Sequence, residues 1–270
     1  MAFHMFHRVT KIILPIPITA LLALMLLWTA TPAAWGQTSA RPPRDAAELM
    51  RMMDELWRGK TSQAKLSMTV KTLRYQRSMT LEAWSEGKDK SLIQILAPKK
   101  DRGIATLKVG KNIWNYLPKV NRVTKIPASM MMGSWMGSHF TNDDLVKESS
   151  FEDDYVSTLS FTGERNGQNI YEVTSIPRPE AAVVWSKLVT EIAQQTLLPV
   201  RTLYFDDEDK LAREMRFLEP KKFGGRTVPS VMRLTEAEKP DEFTTVTYEE
   251  LAYDITLAGD QFSLSRLKKR

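Results

Sequence analysis

The 270-residue chain contains no cysteine. That excludes disulfides, a thiol nucleophile, and the N-terminal lipidation that needs a cysteine directly after a leader. Histidine is nearly as scarce, with only His4, His7 and His139, and a lone histidine in an apolar stretch is more often structural than catalytic. There is no G-x-S-x-G elbow, no P-loop and no H-E-x-x-H pair. No block of five or more basic residues occurs, and the formal charge of +6 arises from both signs mixed along the chain, so nucleic-acid binding is not expected. The acidic groups Asp143-Asp144 and Glu152-Asp153-Asp154 carry no metal-binding spacing. Asp206-Asp207-Glu208-Asp209 reads as a hairpin turn, where solvated Asp belongs. An enzyme, a metal site and a cofactor are all argued against.

What is present begins with an address. Arg8 and Lys11 precede Ile18 to Trp28, a nearly uninterrupted apolar run, and the small residues Ala34 and Gly36 stand one residue apart. This is the layout of a signal peptide, residues 1–36, cleaved after Gly36. The run is too short to anchor comfortably in a bilayer. Losing Arg8 and Lys11 would take the formal charge from +6 to +4. The mature protein is expected free in the periplasm, with its stability resting on a hydrophobic core. Residues 37–44, with Pro42 and Pro43, read as an extended linker, and residues 45–270 as a single domain.

That domain opens with a helix. Asp45 is a good N-cap with Glu48 three residues on, Ala46, Leu49, Met50, Met53 and Trp57 recur at helical spacing, and Gly59 suits the C-terminal end. From Ser62 the period changes to two: Ala64, Leu66, Met68 and Val70 alternate with Lys65, Ser67, Thr69 and Lys71. Similar runs follow at 79–85, 92–97, 104–109, 113–117 and 123–126. After an interruption come 156–161, 169–175, 187–193, 200–205, 211–218, 228–235 and 244–251. Turn signals such as Asn166-Gly167 separate them, and no strand–helix–strand rhythm appears. The fold class predicted is mainly β with minor α: an antiparallel meander of roughly eleven to thirteen strands, long enough to curl on itself. A curled sheet with an apolar concave face is a natural container.

The interruption is the most informative segment. Met130, Met131, Met132, Trp135, Met136 and Phe140 crowd into eleven positions, flanked by Gly133, Ser134, Gly137 and Ser138. Loops are normally polar, so this one either plugs a core or covers a greasy ligand. Methionine, being flexible and polarizable, suits the second role. The six are predicted to form a lipid-binding lid, with Trp84, Trp114 and Tyr116 on strands as candidates for the cavity wall. Thr141 or Asn142 reads as the cap of a following helix, with Asp143 and Asp144 favoured by its dipole.

Three pieces of this chain resemble a known family: Trp114, Tyr116, Leu117, Pro118 and Lys119 with Arg122, then Ile126-Pro127, then the block from Gly133 to Leu145. Together they resemble the outer-membrane lipoprotein-sorting family, related in fold to the periplasmic lipoprotein carriers LolA and LolB. The resemblance implies an incomplete β-barrel closed by helices and a loop, with an apolar cavity for acyl chains. It also implies lipoprotein or lipid cargo, transient membrane contact and traffic beside an inner-membrane export machine. The carriers hold their lid with one arginine, and Arg74, Arg77, Arg102 and Arg122 are all open to that role. The reading that follows is a periplasmic, non-enzymatic carrier. The alternative is a sensor or scaffold module of the same fold that binds a partner protein. Intact mass of the exported protein should place its N-terminus at Gln37 with no acyl chain attached. A full-length, membrane-bound product would contradict both the cleavage site and the soluble carrier.

Overall fold

The computed structural model describes residues 45–147, 151–181 and 183–268. The expected signal peptide and linker lie outside the described residues. Helix α1 (Ala46–Glu55) starts where the Asp45 side chain accepts the Glu48 amide at 2.8 Å, and it buries Ala46, Leu49, Met50 and Met53. Gly59, at φ +58°, then turns the chain into the sheet, and a Cβ there would stand 3.0 Å from Asp254 Oδ1.

Every run of period two is a strand. They are β1 (Thr61–Lys71), β2 (Gln76–Glu86), β3 (Lys90–Ala97), β4 (Ala105–Val109), β5 (Asn112–Leu117) and β6 (Arg122–Lys125), then β7 (Tyr155–Arg165), β8 (Gln168–Pro177), β9 (Lys187–Ala193), β10 (Pro199–Phe205), β11 (Leu211–Phe223), β12 (Arg226–Glu236) and β13 (Lys239–Tyr253). Short helices α2 (Asn142–Lys147) and α3 (Phe151–Asp154) lie between β6 and β7, and α4 (Leu264–Leu267) follows β13. The thirteen strands form one antiparallel sheet in the order β6-β5-β4-β3-β2-β1-β13-β12-β11-β10-β9-β8-β7. The first and last strands therefore meet in the middle, where Met68 lies opposite Met79 on one side and Val246 on the other.

This order has one geometric consequence. Strands β6 and β7 are the two free edges, so the segment joining them must cross a whole face of the sheet. That segment is the methionine-rich loop. Trp135 and Phe140 descend from it into a cluster with Leu66, Met68 and Val70 of β1, Leu81 of β2, Ile95 of β3, Met215 of β11 and Leu234 of β12. Strands β3 and β11 stand five places apart in the sheet, so sharing one cluster requires the sheet to curl around the loop. Twist of this hand and extent is what a large open sheet accumulates. A second cluster packs α1 on Val173, Leu188 and Ile192 with Tyr155. A third gathers Leu92, Ala105, Leu107 and Tyr116 beneath Leu267 of α4. Because Leu92 neighbours the inward Ile93 on β3, this third cluster lies on the sheet's outer face.

On the face of β8–β11 turned away from α1, register sets Glu172 opposite Glu191, Glu191 opposite Arg201 and Arg201 opposite Arg216. Two carboxylates side by side would repel. Arg165 bridges them, donating to Glu172 and, at 3.2 Å, to Glu191, while Arg201 grips Glu191 with bonds of 2.8 and 2.7 Å. Burial opposes the charge on Glu191, but the hydrogen bonds from Arg201 and Arg165 outweigh it and hold its carboxyl below the ordinary 4.5.

Three outcomes follow from this packing. Because Glu191 titrates lower in the folded chain than in the unfolded one, its contribution is complete above pH 4.5 and is lost as pH falls through the folded value. Glu191→Gln should thus unfold more easily than the parent in urea at pH 7, with the gap closing on acidification below that point. Trp135→Ala should cost about 3–5 kcal/mol in the same assay. Met130→Ser and Met132→Ser, on exposed side chains, should stay within about 0.5 kcal/mol of the parent.

Candidate functional site

Beneath the crossover lies a cavity of about 200 Å³. Its floor is aromatic. Trp57, one turn beyond α1, stacks on Phe217 of β11 at 5.8 Å and on Tyr248 of β13 at 6.4 Å, and its Nε1 donates to the Pro229 carbonyl at 3.1 Å. Met53 of α1, Ala64 of β1, Ala83 of β2, Ile93 of β3, Tyr204 of β10, Met232 of β12 and Leu145 of α2 complete the apolar lining. The end under β1–β4 is polar, with Ser62, Ser85, Ser91 and Lys108. Such a container can take an aliphatic chain. Among the described residues no cluster of three metal-ligating side chains exists.

The loop above is folded into a small hairpin. Ser134 bridges Thr141, the Trp135 amide donates to the Phe140 carbonyl at 2.7 Å, and Met136 and Gly137 make the turn at φ 53° and 69°. The Asn142 amide group donates to the carbonyls of Met130 and Gly133, at 3.1 Å each. Thr141 caps α2, its Oγ1 accepting the Asp144 amide while its own amide donates to Asp144 Oδ2. Asp144 in turn takes a paired grip from Arg213 of β11, whose guanidinium lies between the rings of Trp185 and Tyr204 at 4.4 and 4.3 Å.

Four side chains of the sheet and its turns latch this hairpin down. Arg77 of β2 donates from Nη1 to the Met136 carbonyl at 3.3 Å and from Nη2 to Asp101 at 3.1 Å. Tyr75 donates to the Gly137 carbonyl at 3.2 Å. Thr106 of β4 accepts Trp135 Nε1 at 3.1 Å and passes its own proton to Asn115 at 2.7 Å. Thr244 of β13 accepts the His139 amide at 3.0 Å and meets its Nδ1 at 2.8 Å. Burial lowers the His139 pKa against the raising pull of Glu236 and Glu242, so the ring favours its neutral form. Of the four arginines open to the latching role, Arg77 is the one that reaches the loop.

The predicted lid residues divide. Trp135 and Phe140 are buried in the core, Met131 and Met136 are half-buried, and Met130 and Met132 face solvent. The loop is thus part buried core and part exposed surface. The predicted wall needs correction. Trp114 and Tyr116 pack in the outer-face cluster under α4 and Phe262, Tyr116 donating to Asn121 at 3.2 Å, and neither lines the cavity. Trp84 borders the cavity, but its ring belongs to the same outer cluster, because the inward neighbours on β2 are Ala83 and Ser85. Sequence reasoning missed Phe217 and Tyr248, both in strands already recognised, and Arg213. Their only signal is parity: each shares a face with a buried neighbour, Met215 or Val246.

The model of a family described as "Uncharacterized protein" matches residues 87–269. No curated protein sequence matches the chain. Among solved structures, a DUF1329 family protein from Desulfovibrio piger is 24% identical, with a TM-score of 0.72 over 82% of this chain and 96% of its own. A putative outer membrane lipoprotein-sorting protein domain from Vibrio parahaemolyticus is 21% identical, with a TM-score of 0.71 over 83% and 98%. A LolA superfamily protein from Nitrosomonas europaea is 17% identical, with a TM-score of 0.69 over 82% and 99%. The chain belongs to the family whose model spans residues 87–269, and its curled open sheet is the LolA/LolB-like fold of lipoprotein-sorting proteins.

Proposed function

We propose that the protein is a periplasmic, non-enzymatic carrier that shelters lipoprotein acyl chains or another lipid under the 130–140 loop and delivers them toward the outer membrane. The observation that carries this reading is the aromatic-floored cavity beside the core cluster into which the latched, partly exposed apolar loop sends Trp135 and Phe140. At about 200 Å³ the cavity is smaller than the roughly 300–1,000 Å³ of sites that hold drug-sized ligands. Trp135 and Phe140 occupy the adjoining space, so withdrawing the loop enlarges the container at the moment cargo enters. Exposed Met130 and Met132 meet the membrane or the donor first. Delivery would run from the inner-membrane export machinery, with membrane contact only in passing. In the described residues no helix is long and apolar enough to cross a bilayer.

A second reading, a sensor or scaffold module binding a partner protein, draws on the sheet's edge. Strand β7 is eleven residues long, ends the sheet, and exposes Val156 and Leu159. Unpaired strands of this kind accept a further strand. Organic extracts of purified protein separate the two: co-purified lipid supports the carrier, and a clean extract with a stable protein partner supports the scaffold.

A fluorescent acyl probe tests the cavity directly. Ala83→Phe, which fills the space between Ile93 and Ala64, should weaken probe binding about tenfold, equivalent to about 1.4 kcal/mol, while the protein stays folded. Arg77→Ala should speed probe entry by freeing the loop. Equal binding by the Ala83→Phe variant and the parent would remove the cavity from consideration.

A further inference from the structure

Antiparallel pairing along β1–β6 brings the β1–β2, β3–β4 and β5–β6 turns side by side at one end of the sheet. They are also tied together. Asp101 of the second turn pairs with Arg77 of β2 at 3.1 Å, and a Cβ on Gly103 would stand 3.6 Å from Pro118 of the third. Exposed turns are ordinarily built from Gly, Pro, Asn, Asp and Ser. The first and third of these instead present large apolar side chains: Leu73 is 81% exposed, Val120 65%, Tyr75 48% and Leu117 45%. Exposed apolar residues scattered singly need no explanation. Four on turns of one end, with contacts running between the turns, leave apolar surface in water that an apolar partner would remove.

The middle turn supplies charge. Lys99, Lys100 and Arg102 are exposed on it, flanked by exposed Arg74 on the first turn and exposed Lys119 and Arg122 at the third. Asp101 is the only acid within residues 72–75, 98–104 and 117–122, and Arg77 already holds it. Among the described residues none of those six cations belongs to an ion pair. Beyond β1 the sign reverses at the same end, with Glu236 and Glu238 about the β12–β13 turn and Asp206 to Asp209 about the β10–β11 turn. The end is therefore divided into a basic half with apolar tips and an acidic half.

We propose that the basic half docks on a membrane of anionic phospholipid. Leu73, Tyr75, Leu117 and Val120 enter the headgroup region, and the surrounding lysines and arginines face lipid phosphates. Burial of apolar side chains combined with cationic attraction is how proteins lie on anionic bilayers, and tyrosine suits the interface. Leu73 projects from its turn, which a fluid bilayer accommodates without a matching pocket. The acidic half is repelled, so one orientation is favoured. What that orientation does for delivery rests on the carrier reading. Tyr75 also donates to the Gly137 carbonyl and Arg77 to that of Met136, so the docked surface adjoins the tip of the 130–140 loop.

Co-sedimentation of the exported protein with vesicles, with no acyl probe present, tests this. Vesicles of equal parts phosphatidylcholine and phosphatidylglycerol should bind about tenfold or more tightly than phosphatidylcholine alone. Raising salt from about 0.1 M to 1 M should shrink that difference, as the screening length falls from about 10 Å to about 3 Å. Lys99→Glu with Lys100→Glu should remove most of the preference, and Leu73→Ser with Val120→Ser should weaken binding to both vesicles. All four are exposed turn residues, so the variants should keep the parent's thermal midpoint, and the comparison of vesicles on the parent needs no variant to fold. Equal binding to the two vesicles, binding to neither, or binding unchanged by both double variants would overturn the docking surface, while acyl-probe binding to the parent kept the carrier reading standing. Salt-sensitive capture by polyglutamate without vesicle binding would make this half a site for an acidic protein and overturn the membrane. Vesicle binding as expected by a protein that takes up no acyl probe would uphold the docking surface and overturn the carrier reading.

Discussion

The structure depends on one crossing. Because β1 pairs with both β2 and β13, the sheet's edges fall in the middle of the chain, and the link between β6 and β7 has to span the mouth of the curl. A link in that position must be apolar beneath and tolerant of water above. Trp135 and Phe140 satisfy the first demand and exposed Met130 and Met132 the second. Thr106 accepting the indole N–H removes the remaining cost of burying a tryptophan there. The latch and the short helices α2 and α3 are arranged around that link.

For the proposed carrier, the balance between holding and releasing cargo would follow from the same arrangement. Burying a chain is worth about 0.8 kcal/mol per methylene, so a rigid pocket for two full chains would not let go. Here Trp135 and Phe140 belong to the core cluster beside the cavity. In the proposed carrier, cargo would displace core contacts on entry and those contacts would return on exit, which would lower the net affinity. The latch is polar and distributed over Tyr75, Arg77, Thr106 and Thr244. Each such bond contributes about 1 kcal/mol net.

Much of this was legible in the sequence. Strands show themselves by period two, and α1 by its Asp45 cap and helical spacing, because these are local properties of the backbone. The loop announced itself by carrying methionine and tryptophan where polar residues belong. The side on which each aromatic lands was not legible. In β3–β5 both faces are covered, one by the core and one by α4 with Phe262, so apolar residues occur at both parities. Trp84, Trp114 and Tyr116 stand out by size, and size does not reveal parity. Ala83, Ser85 and Ser91, the residues that face the cavity, carry no signal until the register aligns them.

The sequence by itself determined an antiparallel β protein with one leading helix and an apolar interruption, and it excluded chemistry that needs thiols or histidine pairs. Tertiary structure alone decided that the first and last strands are central. It also decided that the interruption is part buried and part exposed, that Arg77 bonds to it, and that three serines and a lysine from four strands stand in one row. The physical reason is range. Period and capping are written in neighbours a few residues apart, whereas Ser62 meets Ser85, and Arg77 meets Met136, only after the sheet has paired and curled.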